Sequence, residues 1–596
     1  VGLQYLEQGK YAIAVQELPG QYLPGYSDPP AREPGVTFKN AAEEAGLIFS
    51  HSGPGRIDFD KIPNREYFED SIVPWLGSGA VFGDFDLDGN YDLYLADSGA
   101  DDPHGRLFHN LGDGTFKDVT ADSGIEGGCK TTMALWGDYD NDGYPDLYLV
   151  NHGPNQLFRN RQDGTFRNVT TECGVGDPAT GMGGAFVDYD HDSDLDIYVA
   201  NLTDVSGFDY SGKAFPSGFP GSENILYQND GKGNFRDVPD EAGLSGGKTM
   251  TTAVLTGDFN NSRDTDFYLI NYMQSDQLLS NMRDGSFQVV GSYNEDRAVT
   301  GAAAGDLNGD GLLDLLLPGA SQGGLTILKG RELAFNTEKS TLSLSDNPGL
   351  INVQPLDYDN DGDLDLLGVR ASLLEKSEEG PSILLFRNDG SSLVDVTTRT
   401  GLDQFSNLPV RGLSIADFDN DGDLDFVVSI NGGKPLLLRN EGGNLNNWLN
   451  VDLEGSVSNK LGVGVKAEIR SGQHWQKIEN HGGQGFLTQS PTRLHFGLGQ
   501  HNGADVVRLL WPNGILQSEK DHGVNTTIAV RELDRKGTSC PLMYVWDGES
   551  YRFHSDFLGG GAYGNLVAPG TFNYPDTDER SEENTSELQS LLIISY

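Results

Sequence analysis

The sequence predicts an all-β chain with a seven-bladed β-propeller, a small C-terminal β domain and a short N-terminal helix. Two observations support this prediction. Short apolar runs recur between clusters of Gly, Asp and Asn in a chain with 79 glycines, which is typical of many short strands. A nine-residue acidic motif also begins seven times between residues 84 and 417, at intervals of 48 to 70 residues. Units of this length that each form a small antiparallel sheet are typical of β-propellers.

The acidic motif keeps Asp at its first and ninth positions in all seven copies. An apolar run, such as "LYLA" or "FVVS", follows each copy and reads as a strand. The copies are "DFDLDGNYD" from Asp84, "DYDNDGYPD" from Asp138, "DYDHDSDLD" from Asp188, "DFNNSRDTD" from Asp258, "DLNGDGLLD" from Asp306, "DYDNDGDLD" from Asp357 and "DFDNDGDLD" from Asp417.

A second signature completes the repeat. It reads "LFHNLGDGTFKDVTADSGI" at 107–125, and similar segments occupy 157–175 and 226–244. The segment "VTFKNAAEEAGL" at 36–47 resembles its second half, which the last repeat, at 435–443, lacks. We therefore expect the N-terminal strand to complete the seventh blade and to close the ring, which would remove two exposed sheet edges. A linear solenoid is the alternative.

The acidic motif has the ligand chemistry of a calcium site. Carboxylates at positions 1, 3 and 5 converge if the loop curls, Gly at position 6 permits the turn, position 7 offers a backbone carbonyl, and position 9 returns a carboxylate. We expect about five to seven Ca²⁺ ions, with the loops from Asp357 and Asp417 as the strongest candidates. The candidate ligands are Asp84, Asp86, Asp88, Asn90, Asp92, Asp138, Asp140, Asp142, Tyr144, Asp146, Asp188, Asp190, Asp192, Asp196, Asp306, Asn308, Asp310, Leu312, Asp314, Asp357, Asp359, Asp361, Asp363, Asp365, Asp417, Asp419, Asp421, Asp423 and Asp425.

Two other interpretations of the loops compete with a calcium site. An EF-hand needs Glu at position 12, and no copy has one. A solvated Asp/Gly turn without metal is the simpler alternative, and it gains weight where the motif departs from the pattern. One copy has Ser193 at the Gly position, and another has Asn260, Ser262 and Arg263. We expect this last copy, which begins at Asp258, to bind calcium weakly or not at all.

Composition excludes several classes of protein. The formal charge is −48, with 41 basic and 89 acidic residues, which argues against binding to nucleic acid or to anionic membranes. Three cysteines are too few for a disulfide framework. No run of eighteen apolar residues predicts a membrane span, so no membrane insertion is expected. The start at Val1 indicates a fragment, whose signal peptide would lie outside it, and calcium loops favour an extracellular or periplasmic location.

The repeats at 36–443 resemble the FG-GAP/VCBS repeats of integrin-type propellers. The segments "NKLGVGVKAEIRSG", "HFGLG" and "WPNG" within 446–531 resemble an ASPIC/UnbV domain. Together they are similar to the cartilage acidic protein family and its bacterial relatives. The resemblance implies calcium sites in the loops between blade strands, on one side of the disc.

The ends of the chain are less regular. Residues 1–30 have helical spacing and could be a remnant of a tetratricopeptide array or a capping helix. Residues 540–579 read as a further β segment, and 580–596 as a disordered or artefactual tail. His481, His495 and His501, with Asp505, could form a metal or catalytic site, although strand and turn residues of a β domain are the simpler interpretation.

Three functions fit these features. The first is a binding module for a protein or glycan partner, stabilised by calcium in seven solvent-facing loops, with the aromatic insert at 206–224 either exposed to ligands or packed on the disc. The second is a polysaccharide-active enzyme, and the third is a structural spacer. We expect no enzyme, because the sequence contains no recognisable catalytic constellation.

Overall fold

The structure is a computed structural model, and it describes residues 29, 33–54, 57, 64–99, 105–125, 129–293, 300–318, 325–328, 339–342, 350–370, 380–390, 392–533, 542–546, 551–556, 566–568, 571–572 and 591–594. Tyr22–Glu532 form one compact unit, and Leu533–Tyr596 belong to a second. Nearly all described elements are strands, which confirms the all-β prediction. The helix expected within residues 1–30 lies outside the described residues.

Four-stranded antiparallel meanders dominate the first unit, and the described residues between 37 and 441 form seven of them, of which the second and third join into one eight-stranded sheet. One strand, β1 (Thr37–Asn40), precedes the rest. The first three sheets contain β2 (Ala80–Gly83), β3 (Asp92–Leu95), β4 (Arg106–Asn110) and β5 (Phe116–Asp118); β6 (Lys130–Gly137), β7 (Asp146–His152), β8 (Gln156–Asn160) and β9 (Phe166–Asn168); and β10 (Thr180–Val187), β11 (Asp196–Thr203), β12 (Ile225–Asn229) and β13 (Phe235–Asp237).

The next three sheets contain β14 (Thr251–Gly257), β15 (Asp266–Asn271), β16 (Asp276–Asn281) and β17 (Phe287–Tyr293); β18 (Ala303–Gly305), β19 (Asp314–Pro318), β20 (Leu325–Leu328) and β21 (Lys339–Leu342); and β22 (Leu350–Leu356), β23 (Asp365–Arg370), β24 (Ile383–Asn388) and β25 (Leu393–Asp395). The last contains β26 (Val410–Ala416), β27 (Asp425–Ile430), β28 (Leu436–Glu441) and β1.

The first and last sheets meet. Strand β1 pairs antiparallel with β28, with Phe38 opposite Asn440, and β26 packs beside β2. Phe38 is buried, so the N-terminal strand contributes to the core as well as to the ladder. This arrangement covers the edge that β28 would otherwise expose.

The two faces of the ring carry different connections. Because each sheet is an antiparallel meander, loops between first and second strands share a face, here called the loop face, with the turns between third and fourth strands. The acidic motifs are all on this face. The other connections lie on the opposite face, including the helical segment before β2, which consists of α1 (Arg65–Tyr67), a π-helix (Phe68–Ile72) and α2 (Val73–Leu76).

The aromatic insert at 206–224 joins β11 to β12 and therefore lies on the opposite face. Phe215 and Phe219 are buried, and the ring centroid of Phe219 is 4.9 Å from that of Phe68. Of the two alternatives left open for the insert, packing on the disc is therefore correct for these two rings, and exposure to ligands is not. Burial of apolar surface against the π-helix explains the difference.

The C-terminal domain of the first unit has two sheets, ordered β33-β29-β36 and β31-β30-β34-β35. Its core includes the fully buried Trp511. Its strands are β29 (Asn447–Glu454), β30 (Lys466–Ser471), β31 (His474–Glu479), β32 (Thr488–Gln489), β33 (Leu494–Gly499), β34 (Ala504–Leu510), β35 (Leu516–His522) and β36 (Thr526–Arg531). The short β32 pairs with β2 of the ring instead, parallel to it.

Short helices complete the first unit. They are α3 (Thr120–Ser123), α4 (Thr170–Cys173), α5 (Pro239–Ala242) and two 3₁₀ turns, Leu402–Gln404 and Gly443–Leu445. The second unit contains β37 (Leu542–Trp546), β38 (Tyr551–Asp556), β39 (Leu566–Ala568), β40 (Thr571–Phe572) and β41 (Leu591–Ile594). Strand β41 pairs with β37, although it lies in the tail that was expected to be disordered. Its apolar sequence "LLII" has the composition of a strand.

Candidate metal centres and the domain interface

The acidic loops share one backbone geometry. The carboxylate at position 1 accepts hydrogen bonds from the N–H groups at positions 5 and 6, as Asp357 does from Asp361 (3.1 Å) and Gly362 (2.9 Å). Position 5 in turn accepts from the N–H of position 7. These bonds curl the loop, so the carboxylates at positions 1, 3 and 5 converge as the sequence predicts.

The carboxylate at position 9 is held by the sheets. Asp425 is buried, its Oδ2 accepts from the N–H of Phe418 (3.1 Å), and its Oδ1 accepts from the N–H of Asn440 (2.7 Å). The side chain of Asn440 donates to the carbonyl of Tyr358 (2.7 Å), which belongs to the preceding sheet. Five more Asn residues make the same link: Asn110 to Phe418, Asn160 to Phe85, Asn229 to Tyr139, Asn281 to Tyr189 and Asn388 to Leu307.

The side chains of these Asn residues link neighbouring sheets through hydrogen bonds. The link from Asn110 to Phe418 joins the first sheet to the seventh, so it helps to close the ring. The recurring Asn in "LFHN", "LFRN" and "LYQN" is the sequence signal of these links, but the motif alone does not identify the carbonyl that each Asn bonds.

Several position-3 carboxylates have one oxygen without a hydrogen-bond partner. Among the described residues, Asp190, Asp359 and Asp419 each have a buried Oδ1 with no hydrogen bond. Burial and repulsion from Asp361 raise the pKa of Asp359 to about 7. Because an unpartnered buried carboxylate oxygen is costly, these atoms fit a cation that accepts several hard oxygen ligands.

Groups of three convergent carboxylates occur in at least four loops. Ligand atoms lie within 4.8 Å of one another in each of these sets: Asp84, Asp86 and Asp88; Asp138, Asp140 and Asp146; Asp188, Asp190 and Asp196; and Asp357, Asp359 and Asp361. The first loop also brings His109 close to Asp86 and Asp92. In the second loop, Arg159 lies 2.6 Å from Asp140, so a protein cation already neutralises part of that site.

The loop from Asp357 is the most enclosed. Asp357, Asp359 and Asp365 are buried, and the described residues place no Lys or Arg within salt-bridge distance of its five carboxylates. Burial and mutual repulsion raise the pKa of Asp361 to about 6 and that of Asp357 well above its usual range. Two like charges 4 Å apart repel by about 4 kcal/mol near a protein surface. A bound cation would relieve this repulsion.

The loop from Asp258 is contacted by basic side chains from other parts of the chain and has one of its own. The Nζ of Lys466, in the C-terminal domain, lies 2.5 Å from Asp258 Oδ2, and both side chains are buried. Arg283 pairs with Asp264 in the same loop. Arg263 occupies the Gly position with φ of 78°, a backbone conformation that costs a side chain about 1–2 kcal/mol. These features agree with the expectation of weak or absent calcium binding.

The loop from Asp306 has fewer carboxylates. Asn308 Oδ1 accepts from the N–H of Asp310 (2.9 Å), and its Nδ2 faces Asp314 (3.3 Å). Position 7 in the acidic loops donates its N–H to position 5, as Leu312 does to Asp310 (3.0 Å). The same bond is made by Asn90, Tyr144, Asp194 and Asp363, and by Asp423 at 3.3 Å.

The C-terminal domain covers part of the loop face. His495 Nε2 lies 2.6 Å from Asn360 Oδ1, and His474 Nε2 lies 3.0 Å from the carbonyl of Gly362. A Cβ at Gly422 would lie 1.9 Å from Trp448 Nε1, so the domain also packs directly on the loop from Asp417. The expectation of seven solvent-facing loops is therefore wrong for these two, and also for the loop from Asp258, whose Asp258 is buried against Lys466 of this domain.

A segment of this domain enters the ring. Strand β32 adds to the inner edge of β2, and the side-chain amide of Gln489 bonds both backbone groups of Trp136, accepting at 2.7 Å and donating at 2.9 Å. Gln354 donates to the carbonyl of Gln484 (2.7 Å) in the same segment. We call residues 482–490 the plug segment. Its insertion explains why the propeller and the C-terminal domain form one compact unit.

The histidines of the C-terminal domain have separate roles. His495 bonds Asn450 and Asn360, His481 is half-buried beside Thr256, and Asp505 accepts from the N–H of Gly472. Burial, with the positive charge of Arg493, lowers the pKa of His495 to about 3. His495 therefore stays neutral and contributes to the interface, and the simpler interpretation of these residues is favoured.

Comparisons with known proteins agree with this architecture. Residues 84–149, 138–199, 258–317 and 357–428 match the FG-GAP-like repeat family, and residues 455–537 match the ASPIC and UnbV family. Cartilage acidic protein 1 from Mus musculus is 26% identical over 325 residues, which cover 52% of this chain and 49% of that protein. The Homo sapiens protein is 27% identical over 299 residues, covering 48% and 44%. The chain thus spans about half the length of these relatives.

Among solved structures, an Agrocybe aegerita lectin that recognises non-reducing terminal N-acetylglucosamine has a TM-score of 0.36 and 15% identity, covering 62% of this chain and 90% of that one. An exotype rhamnogalacturonan lyase has a TM-score of 0.30 and 14% identity, covering 58% and 64%. Among the described helices, none is long and apolar enough to cross a membrane.

Proposed function

We propose that this chain, in which FG-GAP-like repeats precede an ASPIC and UnbV domain, is an extracellular, calcium-binding β-propeller module that binds a protein or glycan partner. The observation that carries the calcium proposal is the loop from Asp357. It holds five carboxylates at the interface of the two domains, and Asp359 Oδ1 is buried without a hydrogen bond. Similarity to cartilage acidic protein 1 supports an extracellular location.

Calcium suits this loop better than magnesium. The carboxylates come from a flexible loop of alternating Asp residues, and the backbone contributes further oxygens. Ca²⁺ accepts six to eight oxygen ligands in irregular geometry, whereas Mg²⁺ requires a near-ideal octahedron and retains several waters. Millimolar extracellular calcium would also fill weaker loops.

In this proposal, calcium bound by the loop from Asp357 stabilises the contact between the C-terminal domain and the propeller. Asn360 lies between two candidate ligands of the loop and contacts His495. The carbonyl of Asp359 accepts from the side chain of Asn446 (2.8 Å). A loop ordered by calcium would present these groups in place, whereas repulsion without calcium would disturb them. Calcium binding and domain docking are then thermodynamically linked.

The charge of the chain restricts the chemical class of the proposed partner. With a formal charge of −48, the module would repel anionic polymers and favour a neutral glycan or a basic protein surface. Binding is favoured over catalysis because both ring nitrogens of His495 contact Asn450 and Asn360, and Asp505 accepts from the backbone N–H of Gly472.

The test is a calcium titration of the metal-stripped full chain, with magnesium in parallel and bound metal counted at saturation. We expect a rise in melting temperature that is selective for calcium. Asp359→Asn should bind one ion fewer and show a smaller shift, whereas Asp122→Asn, at an exposed site in α3, should behave as wild type. If no ion binds and no shift occurs, the loops are only turns and the calcium proposal fails.

The partner is tested separately. Glycan-array binding of the labelled chain, measured in calcium and again after chelation, should show calcium-dependent retention on neutral glycans. Release of soluble sugar from the same glycans would instead favour the enzymatic alternative.

A further inference from the structure

A cavity of about 180 Å³ lies where the propeller meets the C-terminal domain. The ring contributes residues of its fourth to seventh sheets, among them Ala304 and Ile415, and the C-terminal domain contributes Ile478, Glu479 and Leu494. Cavities of about 150 Å³ hold a molecule of the size of benzene, so this cavity is large enough for a small organic ligand.

The cavity wall is largely apolar. Leu313, Leu364, Leu424, Ile478 and Leu494 all line it. A ligand that fills this space therefore needs an apolar body, because water molecules would find few hydrogen-bonding groups there.

Three charged residues of the wall already have polar partners. Lys477 Nζ donates to the carbonyl of Gly311 (2.7 Å), and Arg493 pairs with Asp452 (2.6 Å). The carboxylate of Asp417 accepts two N–H groups of its own loop. A charged ligand would have to compete with these contacts, and it would also lose its hydration.

Glu479, in contrast, has one carboxylate oxygen without a hydrogen-bond partner. It is buried, its Oε1 accepts from the N–H of Asp258 (3.0 Å), and its Oε2 has no hydrogen-bond partner in the described part of the chain. Lys466 is its cross-strand neighbour in β30 and supplies a nearby positive charge. Two carboxylates, on Asp258 and Glu479, thus stand beside two ammonium groups, on Lys466 and Lys477. Glu479 therefore lacks a hydrogen-bond donor rather than another cation.

We propose that this cavity binds a small neutral molecule with an apolar body and one hydroxyl group, of about the size of benzyl alcohol. The apolar walls would hold the body, and the hydroxyl would donate to Glu479 Oε2 after a rotation of the carboxyl group. The cavity adjoins the proposed calcium loops, because Asp357 and Asp417 are part of its wall, but the proposed ligand contact is made by Glu479, which belongs to neither loop.

The experiment uses the full chain saturated with calcium and three probes observed by ¹⁹F NMR: 4-fluorobenzyl alcohol, 4-fluorobenzylammonium and 4-fluorobenzoate. We expect the alcohol to bind at least about ten-fold more tightly than either charged probe, the equivalent of one good hydrogen bond without a desolvated charge. Equal or weaker binding of the alcohol overturns the proposal, as does the absence of binding, which would mean that the cavity holds only water.

Variants locate the site. Ala304→Leu should fill the cavity and abolish binding of the alcohol, with Leu424→Phe as a second filling variant if the first does not fold. Ala121→Leu, at an exposed position of α3, is the matched control and should bind as wild type. Unchanged binding in a folded filling variant would place the probe elsewhere and refute the assignment. Because calcium is held at saturation, these results do not depend on the outcome of the calcium titration.

Discussion

Gln489 offers the sharpest test of the plug segment. Its side chain is buried and bonds the N–H and the carbonyl of Trp136, two groups on the inner edge of β6 that face the centre of the ring. The substitution Gln489→Ala removes both partners. Each buried backbone group left without a hydrogen bond costs about 1–3 kcal/mol, and water that enters the vacated space would recover part of this. We therefore expect a loss of about 2–4 kcal/mol in the free energy of unfolding.

The measurement is urea unfolding of the full chain at saturating calcium, followed by tryptophan fluorescence and circular dichroism. Gln288→Ala, on the exposed side of β17, is the matched control and should change stability by less than about 0.5 kcal/mol. Gln489→Glu should be at least as destabilising as Gln489→Ala, because a carboxylate cannot donate to the Trp136 carbonyl. If Gln489→Ala is no more destabilising than the control, the plug segment contributes nothing through these bonds and the reasoning is refuted.

Two further predictions concern the interface and the loop from Asp258. Because burial lowers the pKa of His495 to about 3, the unfolded chain takes up a proton below pH 6.5 that the folded chain does not, so stability is full above that pH and falls by about 1.4 kcal/mol per unit below it. In urea unfolding between pH 7.5 and 5, the stability of His495→Gln should lack this pH-dependent loss. Parallel plots of stability against pH for the wild type and this variant would contradict the prediction. The second prediction concerns the loop from Asp258. Metal counting should find one additional calcium ion in the variant that combines Asn260→Asp, Ser262→Asp, Arg263→Gly and Lys466→Met. The variant with the first three changes and Lys466 retained should bind no additional ion.

The repeat could be predicted from the sequence because its signal is local. All the ligands of one loop lie within nine residues, and the apolar strand follows at once, as it does after Asp425. The N–H groups that curl each loop belong to the same stretch, so the loop geometry needs no distant partner.

The interface could not be predicted because its partners are far apart in the chain. Gln489 bonds Trp136 and Lys466 pairs with Asp258, at separations of 353 and 208 residues. An isolated Gln or Lys in a β domain carries no pattern that identifies such a partner. The packing of the aromatic insert also depends on a distant partner, because the sequence around Phe219 does not indicate whether its ring is exposed or packed against Phe68.

The loop from Asp258 separates two roles that the other loops combine. Its third, fifth and sixth positions have lost the residues expected of a metal site, yet Asp266 at position 9 still accepts from the N–H of Asn281 (2.9 Å). Asn281 still donates to the carbonyl of Tyr189 (3.1 Å) in the preceding sheet. Position 9 therefore serves the connection between sheets even where Lys466 occupies the place proposed for calcium elsewhere. It follows that an Asp at position 9 indicates the architecture of the ring, and that the carboxylates at positions 3 and 5 are the better guide to which loops are candidate metal sites.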